Sequence, residues 1–442
     1  MLGSFIRLAK WASVAGLLFA AATCQKQAER KEGGTPPANK SKNGATVPFV
    51  FTKDILGEAE LCGCSTAQAG GLSRKSATAK ALPGAILVDA GNFLPPADDV
   101  VFDLNARLTV AAMEKMGYRA VNLGKHEAAM DANSLRKYLR DSTLPIVSSN
   151  LIEAPNRVLF SAYTQIQLSA DQTVAVIGLV GKTKAGKGLV ILDPAKRLKD
   201  VLTTVPPGMS KIVLADLDEK EAEEVLRQVE GVDAVIGVSG PGFKPLGVGF
   251  VAPVDRDFFN EWAGVLNFKF AGGVAQVESS DYKRLDGNAG EDDDLKTFIG
   301  KKRDEWLPSL PKHPALRKEG RGYVGAEACK TCHASQFAIW AGTAHSHAYK
   351  IMEIQKVTNR PDCVMCHTTG FDRKDFTFFA ENVGCENCHG AGERHRALVQ
   401  AGRVDDARKA IAHSDKATCA RCHYRAHDPV FDFDTAWPKI AH

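Results

Sequence analysis

The sequence has 442 residues, enough for two or three domains that each bury a real core. Charged residues make up 24% of it, the formal net charge is +4, and no long block of Lys and Arg occurs. That balance argues against a nucleic-acid surface and is ordinary for a chain that packs a core. The cysteines are the unusual feature. Of eleven, eight lie between Cys329 and Cys422, and the three others, Cys24, Cys62 and Cys64, are too few for a general disulfide framework.

In chain order, the first 24 residues read as an export signal. Arg7 and Lys10 precede an apolar stretch, 11–22, that is too short to anchor a chain across a bilayer. Small residues, Ala21, Ala22 and Thr23, lead directly into Cys24. This resembles a bacterial lipobox, which implies a lipid anchor at Cys24. Plain secretion with an incidental cysteine is the alternative. Residues 25–45 are polar and rich in Lys, Gly, Pro and Asn, so they bury too little to offset the entropy of ordering and read as a flexible tether.

Residues 46–306 read as a layered α/β domain. Short apolar runs predict strands at 47–52, 85–89, 119–123, 145–149, 174–179, 211–214 and 233–237. Helical patterns at 104–116, 133–139, 194–202 and 219–229 alternate with them. Several short β-like runs with glycine turns follow over 250–279, then a helix over 291–306. The proline-containing stretch 307–321 reads as a linker.

From residue 322 to 442 the strand signals vanish, and cysteine, histidine and short helical stretches take over. Four pentads stand out: Cys329-Lys-Thr-Cys332-His333, Cys363-Val-Met-Cys366-His367, Cys385-Glu-Asn-Cys388-His389 and Cys419-Ala-Arg-Cys422-His423. Covalent attachment of haem c asks for this spacing. Two thiols must reach the two vinyl groups of a porphyrin, and the adjacent histidine then turns onto the iron. Zinc would use the Cys-x-x-Cys units as ligands but would leave the histidine of every pentad unexplained. The pentads therefore predict a mostly helical module holding four haems c, with His333, His367, His389 and His423 as proximal iron ligands. Haem of this kind is attached outside the cytoplasmic membrane in bacteria, in agreement with the N-terminal signal. The expected location is the periplasm or outer cell envelope.

The sixth ligand is a separate question. His345, His347, His395, His413, His427 and His442 are candidates, more than the haems require. A bis-histidine iron is closed and suits outer-sphere electron transfer. A five-coordinate iron can bind a small molecule. His442, at a fraying end, is set aside. A helix predicted over 335–352 would hold His345 rigidly, and the glycines in Gly390-Ala391-Gly392 let the chain turn closely before His395.

The run from Tyr323 to His333, with Trp340, Thr343-Ala344-His345, Thr368-Thr369-Gly370 after the second pentad, and Val383 to Gly390, resembles the tetrahaem cytochrome c-554 family over residues 322–430. The resemblance implies a periplasmic electron carrier with closely stacked, mostly bis-histidine haems and redox partner proteins, some of them membrane-bound. It implies His345 and His395 as the foremost distal ligands, with His413 and His427 next. The choice between His345 and His347 stays open.

Residues 46–300 resemble the calcineurin-like metallophosphoesterase and 5'-nucleotidase fold. The resemblance rests on Thr52-Lys53-Asp54-Ile55-Leu56-Gly57, Val88-Asp89-Ala90-Gly91-Asn92, Asn122-Leu123-Gly124-Lys125-His126-Glu127, Ser149-Asn150-Leu151 and Asp233 to Gly237. It implies a degenerate member. Leu56 stands at a histidine position, Asn92 at that of the bridging aspartate and Lys125 at that of an asparagine, and no histidine follows Leu214 or Gly237. Of the constellation only Asp54 and His126 remain, and Lys125 is expected to put a cation where a metal would sit. Cys62 and Cys64 could form a local disulfide, ligate a metal or exchange electrons. Three readings follow. The first is extracytoplasmic electron transfer through four haems. The second is reduction of a small nitrogen or sulfur compound at an open iron or at Cys62/Cys64. The third is a scaffold whose α/β domain docks redox partners. Whether the chain is an enzyme is left open.

Overall fold

The computed structural model describes residues 46–61, 68–240, 248–254, 259–319, 321–424 and 427–442. The expected signal, the tether, Cys24, Cys62 and Cys64 lie outside the described residues. From Ser41 to His442 the chain forms one compact unit.

The first half is built on two sheets. One comprises β1 (Thr46–Thr52), β2 (Ile86–Asp89), β3 (Ala120–Asn122), β4 (Ile146–Val147), β12 (Trp262–Ala271) and β13 (Val274–Arg284), in the order β13-β12-β1-β2-β3-β4. The other comprises β6 (Tyr163–Gln167), β7 (Thr173–Val180), β9 (Ser210–Asp216), β10 (Val232–Ser239) and β11 (Val248–Val254), in the order β11-β10-β9-β7-β6. β5 (Leu151–Glu153) and β8 (Leu189–Ile191) pair with each other outside these sheets. β1 to β4 run parallel, as do β7, β9, β10 and β11.

The strands read as continuous apolar runs because both faces are covered. Phe49, Phe51, Val176, Ile212, Leu214, Ile236 and Phe268 fill the space between the sheets. Val50, Leu87 and Val121 face outward instead, onto α1 (Leu72–Lys80), α2 (Phe102–Met116), α4 (Ala132–Leu139) and α7 (Asp293–Trp306), with α3 (Lys125–Ala129) a single turn before α4. Ile177, Val213 and Val235 of the second sheet pack on α5 (Pro194–Thr204) and α6 (Glu219–Leu226). The layers are therefore helix, sheet, sheet, helix. Local chemistry sets the helix ends. Asp193 caps α5 ahead of Pro194, Asp218 and Glu221 form a capping box on α6, and left-handed Gly117 ends α2.

The short runs expected over 250–279 are in fact long strands. β12 and β13 form a hairpin closed by Gly272 and Gly273, both at positive φ, the backbone a two-residue turn of this kind requires.

The second half is mostly helical: α8 (Ala326–Lys330), α9 (Ala334–Ala341), α10 (Ala348–Gln355), α11 (Pro361–His367), α12 (Cys385–His389), α13 (Glu393–Gln400), α14 (Val404–Lys409), α15 (Lys416–Cys419) and α16 (Phe433–Ala436). The helix expected over 335–352 is broken. α9 ends at Gly342, a 3-10 turn spans Ala344–His347, and α10 starts afresh. Its own buried apolar cluster is small, with Met352, Val364 and Phe378 at the centre. Polar ties do much of the holding. The buried Glu386 carboxylate accepts from the backbone N–H of Val324, Gly325 and Gly392, and the Trp340 indole donates to the Val383 carbonyl. In the stretch expected as a linker, Ala315–Leu316 pairs with Thr377–Phe378.

Candidate haem sites and the buried cluster of the α/β domain

The pentads sit on single helical turns. His333 N–H donates to the Cys329 carbonyl at 2.9 Å, and His423 N–H to the Cys419 carbonyl at 2.9 Å. The second and third pentads lie within α11 and α12. A helical turn puts residues three and four apart on one face, so each pentad presents two thiols and one imidazole on the same side. The thiols also meet between pentads. Cys329 hydrogen-bonds Cys385, and Cys366 hydrogen-bonds Cys422. Burial pushes the Cys388 thiol up.

Each pentad histidine faces a second histidine from elsewhere in the chain. Ring centres are 6.2 Å apart for His333 and His395, 6.4 Å for His367 and His427, 5.8 Å for His389 and His442, and 6.0 Å for His423 and His345. A trans pair of imidazoles on one metal needs about this spacing, because each metal–nitrogen bond is about 2 Å and the ring centre lies about 1 Å farther back. Packed rings also span about 4.5–7 Å, so the spacing accommodates an iron without requiring one, and the telling feature is that each of the four pentad histidines faces a histidine from elsewhere in the chain. The residues therefore fit a haem iron between each pair.

Hydrogen bonds at the rear of the rings agree. His367 Nδ1 contacts the Ala348 carbonyl at 2.7 Å, His389 Nδ1 that of Ala412 at 2.9 Å, and His395 Nδ1 that of Ala407 at 2.9 Å. His442 Nδ1 contacts the Ile440 carbonyl at 2.9 Å, and His423 Nδ1 the Asp428 carboxylate at 2.8 Å. A carbonyl only accepts, so these contacts put the proton on Nδ1 and leave Nε2 as the metal-binding nitrogen.

Of the expected distal residues, His345, His395 and His427 face pentad histidines. His413 does not, and is exposed. Its neighbour Ala412 is tied by its carbonyl to Nδ1 of His389, which fixes this backbone behind the ring rather than in front of it. The position in front of His389 belongs to His442, which sequence reasoning set aside as a fraying residue. His347 is exposed and its Nδ1 contacts the Ser346 hydroxyl at 3.1 Å, so the geometry separates it from His345.

In the α/β domain the quoted motif stretches converge at the carboxyl ends of the parallel strands, the usual position for a site in such sheets. Their centre is a lysine. Lys53, fully buried, places its ammonium 2.8 Å from Asp216 Oδ1 and donates to the Gly237 carbonyl at 2.6 Å and the Ser239 hydroxyl at 3.1 Å. Asn92 bridges the two acids, donating to Asp54 Oδ1 at 2.7 Å and Asp216 Oδ2 at 3.0 Å. Burial pushes the Asp54 carboxyl up, with the Lys53 charge opposing. Burial acts the same way on Asp216, but the Lys53 ammonium and three hydrogen bonds outweigh it and hold the group below its ordinary range. Lys125, expected to supply the cation, sends its ammonium to Glu221 at 2.6 Å and gives only its backbone N–H to Asp216. His126 is exposed and joins through its backbone N–H to Asn92. Sequence reasoning missed Lys53, although a lysine between Thr52 and Asp54 at the end of an apolar strand was a signal that it would be buried. Among the described residues no group of three or more His, Cys, Asp or Glu is arranged to hold a metal ion.

The C-terminal half carries a cytochrome c554-like module: the family model described as cytochrome c554 and c-prime matches residues 328–390. A particular relative is cytochrome c-554 of Nitrosomonas europaea, 29% identical over 134 aligned residues. The match takes in 23% of this chain and 57% of that protein's length. For the whole chain, similar solved structures include a 5'-nucleotidase precursor of Thermus thermophilus (TM-score 0.48, 19% identity, 64% of each chain). A calcineurin-like phosphoesterase of Bacillus subtilis is another (TM-score 0.48, 16% identity, 61% of this chain and 100% of that one).

Proposed function

We propose that this protein transfers electrons through four covalently bound haems c, each closed by two histidines. The observation that carries the reading is the four facing histidine pairs, with ring centres 5.8 to 6.4 Å apart. His333 with His395, His367 with His427, His389 with His442 and His423 with His345 are the residues that would hold the four irons. Haem supplies a one-electron iron couple. The chain's residues hold it, exclude a sixth exogenous ligand, and tune it through the Nδ1 hydrogen bonds, since a carboxylate behind His423 raises ligand basicity more than a carbonyl does.

The thiols of the first and third pentads neighbour one another, as do those of the second and fourth, which supports two pairs of adjacent haems.

The α/β domain in this reading does no two-metal hydrolysis, because a tethered ammonium stands among Asp54, Asn92 and Asp216. The signal-like N-terminus supports a periplasmic or outer-envelope location with a lipid anchor at Cys24, and the partners are redox proteins, some of them membrane-bound.

The deciding measurement is spectroscopic. A pyridine haemochrome assay should return four haems c per chain, and electron paramagnetic resonance of the oxidised protein should show only low-spin iron. A high-spin signal that responds to nitrite or hydroxylamine would replace this reading with a reductase.

A further inference from the structure

Among the described residues, three polar contacts between the two halves gather around the second pentad and its facing histidine. Arg373, shortly after its pentad, donates to the Asp98 carbonyl at 3.0 Å. Glu60 takes both carboxylate oxygens to Arg303, at 3.1 and 3.0 Å, and lies 4.0 Å from the guanidinium of Arg360, the residue at the N-terminal cap of α11. α11 bears Cys363, Cys366 and His367. On the other side of the same site, Gln68 Nε2 donates to the backbone carbonyl of His427 at 3.2 Å.

Gln68 is 3% exposed and its own backbone is fixed. Arg74 donates to the Gln68 carbonyl at 2.7 Å and to the Leu285 carbonyl at 2.9 Å, and Gly70 N–H donates to Leu285 as well. A buried amide on a fixed backbone is a rigid donor. His427 sits on a short turn, its N–H donating to the Tyr424 carbonyl at 3.0 Å and its ring stacked on that of Tyr424 at 5.7 Å. His345 and His395 lack such a tie from the α/β domain among the described residues, and are placed by the haem module itself, through the Val383 N–H on the His345 carbonyl and the Ala407 carbonyl on His395 Nδ1.

We propose that Gln68 is a positioning residue that reaches out of the α/β domain to hold His427 over the second haem, so that this domain keeps that one iron closed. The inference rests on the bis-histidine reading above. It assigns the α/β domain a task that a hydrolytic site emptied by Lys53 does not provide, and it makes the second haem the one whose coordination answers to the other half of the protein.

The test uses the full-length, haem-loaded protein. Gln68→Met keeps the volume and removes the donor, and Gln68→Ala removes both. His427→Ala marks the second haem. The readouts are carbon monoxide uptake by the dithionite-reduced protein and the high-spin signal of the oxidised protein. Wild type should take up none. His427→Ala should open one haem in four, and both Gln68 variants should open that same haem, with the other three low-spin signals intact as a control for folding. The proposal is overturned if both Gln68 variants match wild type, if they open a different haem, or if they open more than one. If wild type already binds carbon monoxide, or His427→Ala opens nothing, the bis-histidine reading itself fails, an outcome distinct from the failure of Gln68 alone.

Discussion

At the scale of single residues, the pentads were legible in the sequence, and the histidines that the fold brings opposite them were less so. A pentad is a local device whose two thiols and imidazole share a helical turn, so spacing alone reveals it. A distal ligand comes from elsewhere in the chain, and nothing local distinguishes His413 from His442. The structure separates them through Ala412, whose carbonyl bonds the rear of the His389 ring and commits the adjoining His413 to the wrong side. His442→Ala is therefore expected to open the third haem, giving one high-spin iron in four and one carbon monoxide bound per reduced chain. His413→Ala should leave all four irons low-spin. Resonance spectra of the two variants side by side check this, and the opposite pattern would return the distal role to His413.

At the scale of elements, the alternation of strands and helices was readable because the central parallel strands are apolar on both faces and α4, α5, α6 and α7 each start on a capping aspartate. Two elements were not. The stretch 335–352 keeps a helical period through Gly342, but α9 and α10 are separated by a 3-10 turn that carries His345. Period cannot register a break that conserves the apolar spacing. The second is the tie between the ends of β1 and β9, the fully buried pair Lys53 and Asp216. Removing one partner of a buried pair strands the other charge, at a cost of about 3–5 kcal/mol. Lys53→Met should lower the unfolding free energy of the α/β domain, measured by urea titration near pH 7, by that amount, and adding Asp216→Asn should recover part of it. The pH dependence has a definite sign. In wild type the Asp216 pKa is depressed, so the pair stabilises the fold above the ordinary carboxylate range and loses that contribution only as pH falls through the folded value. In Lys53→Met the Lys53 charge and hydrogen bond are gone, burial is opposed only by the Lys125 and Asn92 hydrogen bonds, and the Asp216 pKa should rise, so protonation relieves the stranded charge and the deficit should shrink as pH falls from 7. A deficit that grew instead would mean Lys53 acts by packing its stem, not by charge.

At the scale of the whole molecule, the two halves are stabilised by different means. The α/β half buries three large apolar clusters among its sheets and helices. The helical half has one cluster built on Met352, Val364 and Phe378, and it leaves Ile339, Ile351, Ile354, Val399 and Val430 exposed. A domain with so little burial of its own needs a bound group to complete its core, and four porphyrins are the apolar mass that the pentads predict. Haem attachment should then act as folding energy for residues 322–442 and be almost irrelevant to residues 46–306. A chain produced without haem maturation should lose the helical half to limited proteolysis within the time that the haem-loaded protein stays whole. Mass spectrometry should find a protected fragment ending in 307–321, a mostly exposed stretch whose pairing of Ala315–Leu316 and ion pairs of Arg317 and Arg321 run to the helical half. Because Glu60 and Gln68 hold residues that the haems order, the loops around them should be cut first within the surviving fragment. Equal resistance of both halves without haem would show that the helical half is held by its polar ties, chiefly Glu386 on Val324, Gly325 and Gly392, and not by the cofactor.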